Sequence, residues 1–421
     1  MKDLTVEDVN YFSHDMKRFI HGNIHIRDGV IGKLEETEGV SGNYVIPGFV
    51  NTHSHVAMSR FRGHLDDMNL EQFLQKTFRM DSERTEEDIY HSSVAGIYEM
   101  LMNGITSFID LYYSEDIIFR AVEEMGIRGF LSWVTLDRNM TTQKGDPLDN
   151  CESFIKEFSG RNRLISPSAG IQGVYVASHD TIKSAGQIAK NHGTILHMHA
   201  SETRKEVYDF MGKTGKRPIQ YLLDNELIGS NANAAHCVWI TKEEVEKLGK
   251  AKVNVSWNSV SNHKLAVGGV PPVPELMEAG ANVTIGTDSN GSNNSLNILE
   301  TAKSGALAVK NGRWDASLIR AEDVFDMLTV NGGRACGVDG LGTISEKAPA
   351  DLLIIDREHY SMQPYGNERI IRNIVYSMGP SAIDGIMIGG KWIRKNGKMD
   401  SEIEEKFRKS LKWINQNFHS S

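Results

Sequence analysis

Apolar residues along this chain fall into short continuous runs, separated by segments in which they recur every three or four positions. That is the alternation of buried strands with amphipathic helices. After a polar turn near Gly42, the run YVIPGFVNTH predicts a strand covered on both faces. TEEDIYHSSVAGIYEMLMNG predicts a helix that opens on a capping-box-like Thr85 and Asp88 and stops near Gly104. ITSFIDLY, RGFLSWVTL, LISPSAGIQGVY, TILHMHA, NANAAHCVWI, KVNVSWN and NVTIGTDSN continue the strands. IIFRAVEEMG, NCESFIKEFSG, TIKSAGQIAKNHG, PIQYLLDNELIG, EEVEKLGKA and VPELMEAG supply the helices between them. From His55 to Asp288 the repeat averages about 33 residues, the size of a βαβ unit, and eight such strands close into a (β/α)8 TIM-like barrel. The rival, an open doubly wound sheet, needs a glycine-rich phosphate loop after its first strand, and none is present.

The two ends of the chain have a different pattern. GNIHIRDGVI alternates, turns at Asp28-Gly29 and resumes in IGKL, which predicts a hairpin. Beyond Asp288 helical spacing continues through ALAVK and DVFDMLTVNGGRACG. It then gives way at GTISEKAPADLLIID to short β-like runs, repeated in IRNIVYSM and in IDGIMIGGKWIRKNGK with its Asn-Gly turn. We therefore expect residues 1–48 and 346–398 to form a small discontinuous β-sandwich domain, 49–345 the catalytic barrel, and 399–421 a C-terminal helix and tail. Ile403, Phe407, Leu411, Ile414 and Phe418 form the packing stripe of that helix. MGKTGKR at 211–217 lacks the spacing of a nucleotide loop and reads as a loop between helical turns.

Composition narrows the partners. The 421 residues carry a formal charge of −9 with no long basic block, which disfavours nucleic acid. Cys151, Cys237 and Cys336 are too few and too widely spaced for a disulfide framework or a thiolate zinc site. The charged N-terminus and the absence of a run of about 18 apolar residues predict a cytoplasmic protein without membrane association. Homo-oligomerisation is left open.

His53 and His55, two apart at the end of the first buried strand, project to one face and can converge on a metal ion; alone, such a pair is equally a solvent-facing turn. His199, His236 and Asp288 also close apolar runs, at the end of a barrel where sites form, and this favours one shared site over separate structural roles. His53, His55, His199 and Asp288 would hold one divalent ion with net positive charge. Zinc suits the mixture best; iron, cobalt and manganese are alternatives. A deaminase of the Pro-Cys-x-x-Cys type is excluded by the missing thiolates. Glu202, three residues past His199, is placed to move a proton between water and a substrate nitrogen; its bland reading is a helix cap or a surface pair with Arg204 or Lys205. His236 is assigned to hydrogen-bond the nucleophile or the developing tetrahedral centre, and Asp288 to combine metal binding with proton transfer. NSVSNHKLAVGG, with Asn262, His263 and Lys264, reads equally as a functional loop or a polar crossover, and GTDSNGSNNS as a turn or a pocket rim.

PGFVNTHSHVAMSRFRG, HMHASETRKEV, NAAHCVWI, GGVPPVPELMEAGANVTIGTDSNGSNNSL and APADLLIID, in this order, resemble the amidohydrolase superfamily. Within it they are most similar to the branch of S-adenosylhomocysteine/methylthioadenosine deaminases and related chlorohydrolases. The resemblance implies a barrel with a discontinuous β-sandwich, a mononuclear metal at His53, His55, His199 and Asp288, an acid/base Glu202 and an active-site His236. It also places a sugar-binding carboxylate at Asp81 and a substrate contact at Gln172, where the family tends to have glutamate and histidine. The expected reaction is hydrolytic deamination of an amino-substituted heterocycle by a metal-bound hydroxide with release of ammonia, and the first substrate expected is a methylthioadenosine- or S-adenosylhomocysteine-like nucleoside. Deamination of guanine or a pterin, amino- or chlorohydrolysis of a triazine-like ring, and a noncatalytic metal-binding scaffold are the alternatives.

Overall fold

The computed structural model describes residues 3–39, 41–68 and 70–417. Four strands come first, β1 (Leu4–Ser13), β2 (Arg18–Arg27), β3 (Val30–Glu36) and β4 (Tyr44–Pro47). Eight follow, β5 (Phe49–Ser54), β6 (Ile105–Tyr112), β7 (Arg128–Thr135), β8 (Ile165–Ile171), β9 (Leu196–Ala200), β10 (Ala232–His236), β11 (Asn254–Trp257) and β12 (Asn282–Ile285). The last four are β13 (Leu352–Ile355), β14 (Ile383–Ile388), β15 (Lys391–Lys395) and β16 (Lys398–Met399). β5 to β12 pair in chain order, every neighbour parallel, and helices fill the connections. This is the TIM-like barrel that the repeat length predicts.

One backbone bond and the Asn51 side chain close the barrel where the regular ladder stops. The Asn51 amide donates to Thr287 Oγ1 at 2.7 Å and accepts from the Thr287 N–H at 3.0 Å, while the Asp288 N–H donates to the His53 carbonyl at 2.9 Å. Only glycine fits at 286, because a Cβ there would lie 2.3 Å from Asn258 Oδ1 and 2.5 Å from Ser256 Oγ. The seam between the first and last strands therefore carries His53 and Asp288 side by side.

The remaining strands form a mixed sheet in the order β16-β15-β14-β13-β4-β1-β2-β3, so strands from the two ends of the chain meet at β4 and β13. Val6, Ile24, Ile31, Val45, Leu352, Ile354 and Met387 give this sheet an apolar core of its own. Asp28 and Gly29, with φ of 51° and 83°, turn the β2–β3 hairpin, and Asn396 and Gly397, with φ of 50° and 73°, turn β15 into β16. No described helix is long and apolar enough to cross a membrane.

Four expectations need correction. YVIPGFVNTH is two strands: Gly48 separates β4 in the mixed sheet from β5 in the barrel. IRNIVYSM is a helix, Ile370–Tyr376, burying Ile370, Ile371, Ile374 and Val375 on one face; its β-branched residues mimic a strand, but their spacing is helical. The Thr85 hydroxyl accepts from the Asp88 N–H at 3.2 Å as a cap should, yet the Asp88 side chain completes no capping box, turning to Arg60, Arg84 and Ser92 instead. In the C-terminal helix Ser401–Asn417, Ile403 is buried and Phe407 stacks on Tyr98, but Leu411 is exposed and Phe418 lies outside the described residues.

Candidate metal centre

The predicted ligands come from three parts of the barrel and meet at the C-terminal ends of its strands. Two overlapping sets, His53 with His55 and Asp288, and His53 with His199 and His236, each place candidate donor atoms within 4.8 Å of one another. His55 Nε2 lies 3.3 Å from His199 Nε2 and 3.4 Å from Asp288 Oδ1, and His53 Nε2 lies 3.7 Å from the same oxygen. All are buried or nearly so, which penalises imidazolium: burial, reinforced by the neighbouring imidazoles, pushes His53 and His199 well below the ordinary range. For Asp288 burial works against ionisation, but His55, His236 and the Ser261 hydroxyl outweigh it and keep its carboxyl below the usual value. His53 and His199, kept neutral by burial beside the Asp288 carboxylate, are donors in their ligating form.

Orientation of the rings follows from the nitrogens that face away. His55 Nδ1–H donates to the Leu111 carbonyl at 2.6 Å and His199 Nδ1–H to the Gln172 carbonyl at 2.7 Å, so each leaves an Nε2 lone pair directed at the centre. His53 Nδ1 meets a histidine instead, His197 Nε2 at 2.7 Å, whose own Nδ1 lies 3.0 Å from the Asn233 carbonyl. His53 Nε2 is buried with no protein partner, as expected of an atom meant for an ion. Together these donors fit one divalent cation.

His236 and Glu202 stand beside the cluster. His236 Nε2 is 3.9 Å from Glu202 Oε2 and 4.0 Å from Asp288 Oδ2, and burial pushes its pKa down to about 4. Burial, and then the charge of Asp288, push the Glu202 carboxyl up to about 8, so it holds a proton at neutrality. Glu202 is not the surface residue of the bland reading. Its turn is braced by Glu206, whose carboxylate takes the N–H groups of Ser201 and Glu202 at 2.9 and 2.8 Å. Left-handed backbone at Ser201 (φ 49°), His236 (φ 75°), Cys237 (φ 47°) and Asp288 (φ 64°) concentrates conformational strain at these strand ends, as functional sites often do.

The two expected substrate contacts are less simply placed. Asp81 sits on the helix Leu70–Ser82, near enough to feel His55, but its carboxylate already accepts from the Tyr112 hydroxyl and pairs with buried Arg84 at 3.7 Å. Gln172 reaches the centre through its carbonyl, while its side-chain amide donates to the Tyr175 hydroxyl at 2.9 Å. Sequence reasoning passed over His197, although His197 and His199 repeat the His-x-His spacing used for His53 and His55. It also passed over Tyr175, whose hydroxyl feels the charges of Glu202 and Asp288 and for which no sequence signal exists. A cavity of about 510 Å³ at the opposite, N-terminal end of the strands, lined by Ile165, Ile195, Asn231 and Asn254, contains none of these groups. Donor chemistry, not cavity size, locates the site.

A parallel barrel with histidines and an aspartate at its C-terminal mouth defines a metal-dependent hydrolase. Residues 44–393 match the model of the amidohydrolase family, and the chain belongs to that family. It is 35% identical over 372 residues to the 5'-deoxyadenosine deaminase of Methanopyrus kandleri, covering 88% of this chain and 86% of that protein. To the 5-methylthioadenosine/S-adenosylhomocysteine deaminase 1 of Archaeoglobus fulgidus it is 34% identical over 399 residues, covering 92% and 93%. The crystal structure of an adenosine deaminase from Xanthomonas campestris with bound zinc superposes with a TM-score of 0.88 at 23% identity, over 98% of this chain and 99% of that one.

Proposed function

We infer that the chain is a zinc-dependent aminohydrolase acting on an adenine nucleoside altered at its 5' carbon. The observation that carries this reading is the placement of the Glu202 carboxyl, 3.9 Å from His236 Nε2, beside a His/His/His/Asp cluster. Near full-length similarity to deaminases of 5'-deoxyadenosine and methylthioadenosine supports the substrate class. A divalent ion held by His53, His55, His199 and Asp288 would supply the Lewis acidity that makes water a nucleophile at neutral pH. Asp288 Oδ2 takes a proton from the attacking water. Glu202 delivers its own proton to the ring nitrogen, so that the ring carbon is attacked without building up full negative charge. Asp288 then passes the proton taken from water to the amino group, which leaves as ammonia, and the hydroxyl proton of the tetrahedral carbon returns to Glu202 as the carbonyl forms. His236 hydrogen-bonds the oxygen as the carbon becomes tetrahedral. Asp81 contacts the sugar and Gln172, with Tyr175, the base.

One observation favours a second substrate within the same chemistry. Because Asp81 is already engaged by Tyr112 and Arg84, a free amino-heterocycle such as guanine, a pterin or an aminotriazine would need no sugar contact there. Ammonia release by zinc-reconstituted and metal-free protein, measured on 5'-deoxyadenosine, methylthioadenosine, S-adenosylhomocysteine, guanine, pterins and aminotriazines, separates the two. Metal-dependent ammonia from the nucleosides is expected. Ammonia from free rings alone overturns the nucleoside reading, and silence across the set overturns the aminohydrolase.

A further inference from the structure

We propose that Asn262 is a positioning residue that fixes the tautomer of His236, keeping its proton on Nε2 and so keeping His236 out of the metal's ligand set. The inference rests on reading the site as a hydrolytic metal centre. Geometry alone does not separate His236 from the ligands, since its donor atoms cluster with those of His53 and His199 as tightly as those of His55 and Asp288 do. What separates it is the partner on its far nitrogen.

A neutral imidazole has one N–H and one lone pair, and the group bonded to one nitrogen decides which of the two the other presents. His55 and His199 each turn Nδ1 toward a backbone carbonyl, which can only accept; their proton lies on Nδ1 and Nε2 is free to ligate. His236 turns Nδ1 toward donors. Asn262 Nδ2 lies 2.8 Å away and Asn258 Nδ2 3.3 Å away. Nδ1 must accept, and the single proton of a neutral ring then sits on Nε2, on the side of Glu202 Oε2 at 3.9 Å and Asp288 Oδ2 at 4.0 Å.

The Asn258 amide is held in this sense by its surroundings, and Asn262, whose Oδ1 is buried without a partner, presents its nitrogen to the lone pair that Asn258 already leaves on Nδ1. The Ser256 hydroxyl donates to Asn258 Oδ1 at 3.2 Å, which directs the Asn258 amide nitrogen at the ring. The Asn262 N–H donates to the Asn258 carbonyl at 2.9 Å, so the short helix Ser259–Lys264 carries Asn262 on the same support, and both asparagines are fully enclosed. From the preceding position Ser261 donates to Asp288 Oδ2 at 2.6 Å. Two adjacent residues of one turn thus both donate into the site, Asn262 to His236 Nδ1 and Ser261 to Asp288 Oδ2. The segment NSVSNHKLAVGG is functional in this sense and not a plain crossover.

X-ray absorption at the zinc edge tests the proposal, because it counts imidazoles bound to the ion. The wild-type zinc protein should show three, from His53, His55 and His199. In Asn262→Asp the new carboxylate can only accept, so it moves the His236 proton to Nδ1 and frees the Nε2 lone pair. That variant should show four imidazoles, with kcat lowered about 100-fold and KM changed far less. Four imidazoles in the wild type, or three in Asn262→Asp, overturns the proposal. Should Asn262→Asp fail to fold, nitrogen-15 shifts of the His236 ring in the wild-type zinc protein, assigned against His236→Gln, read the tautomer directly, and a protonated Nδ1 overturns it. The imidazole count does not depend on substrate, so a protein that releases no ammonia from any heterocycle would refute the functional reading while leaving this test intact.

Discussion

At the residue scale the strand ends carry the chemistry, and what surrounds each group decides its role. Glu202 and Asp288 are both buried carboxylates, yet the first is pushed up to about 8 while the second is held below its ordinary value by the imidazoles and Ser261. One can give a proton and the other can take one. Glu202→Gln should therefore keep the metal and lower kcat about 100- to 10,000-fold, the range for loss of a general acid. Equal turnover at equal zinc content, by elemental analysis, would remove Glu202 from the proton path. His197 acts one step further out. Replacing it with Phe deprives His53 Nδ1 of its acceptor, and the expected result is a 10- to 100-fold weaker hold on zinc in a chelator competition, the usual effect of losing such a support; unchanged affinity would make His197 a plain core residue. The candidate ligands could be picked out in the sequence because they lie at the ends of apolar runs. Asn262, Ser261 and Glu206 could not be assigned roles, because a polar residue reveals its partner only after the chain has folded around it.

At the scale of elements, the alternation of strand and helix was legible because barrel strands are covered on both faces and helices on one. Junctions were not. Pro47-Gly48 looks like the middle of one strand since the residues on either side are equally apolar, and only pairing shows that β4 and β5 serve different sheets. Pairing also explains the barrel's closure, which the Asn51 side chain shares with the Asp288 N–H to His53 carbonyl bond and the Thr52 hydroxyl. The two Asn51 bonds to Thr287 span 236 residues and join the first and last strands where His53 and Asp288 must face each other. Asn51→Ala leaves the buried Thr287 N–H without an acceptor, and a loss of about 2 kcal/mol is expected in the urea unfolding of the metal-free protein. Because the seam holds two ligands, zinc affinity should fall with it. A variant with wild-type stability and affinity would show that the barrel closes without Asn51, through the remaining seam bonds and packing.

At the scale of the whole molecule, the small mixed sheet abuts the barrel through an aromatic contact that no pattern in the sequence announces. Phe12 meets Phe325 edge to face at 5.1 Å, and His14, just past β1, stacks on the same ring at 6.0 Å with Nε2 3.4 Å from the Thr329 hydroxyl. Burial pushes the His14 pKa down to about 4, against the pull of Asp326 and Asp15 and with the help of Lys17 and Arg334. A histidine depressed in the folded state binds its proton more readily in the unfolded one, so its contribution is complete above its unfolded value near 6.5 and is lost as pH falls from there toward 4. At pH 5 the loss should be about 2 kcal/mol. His53, His199, His197 and His236 are depressed in the same sense, but they are common to the wild type and to a variant at position 14, so the difference between those two proteins isolates the interface. His14→Phe keeps the aromatic contact and removes the titration. Its unfolding free energy should therefore decline less steeply between pH 7 and 5 than that of the wild type, and parallel declines would show that the contact between sheet and barrel does not sense pH.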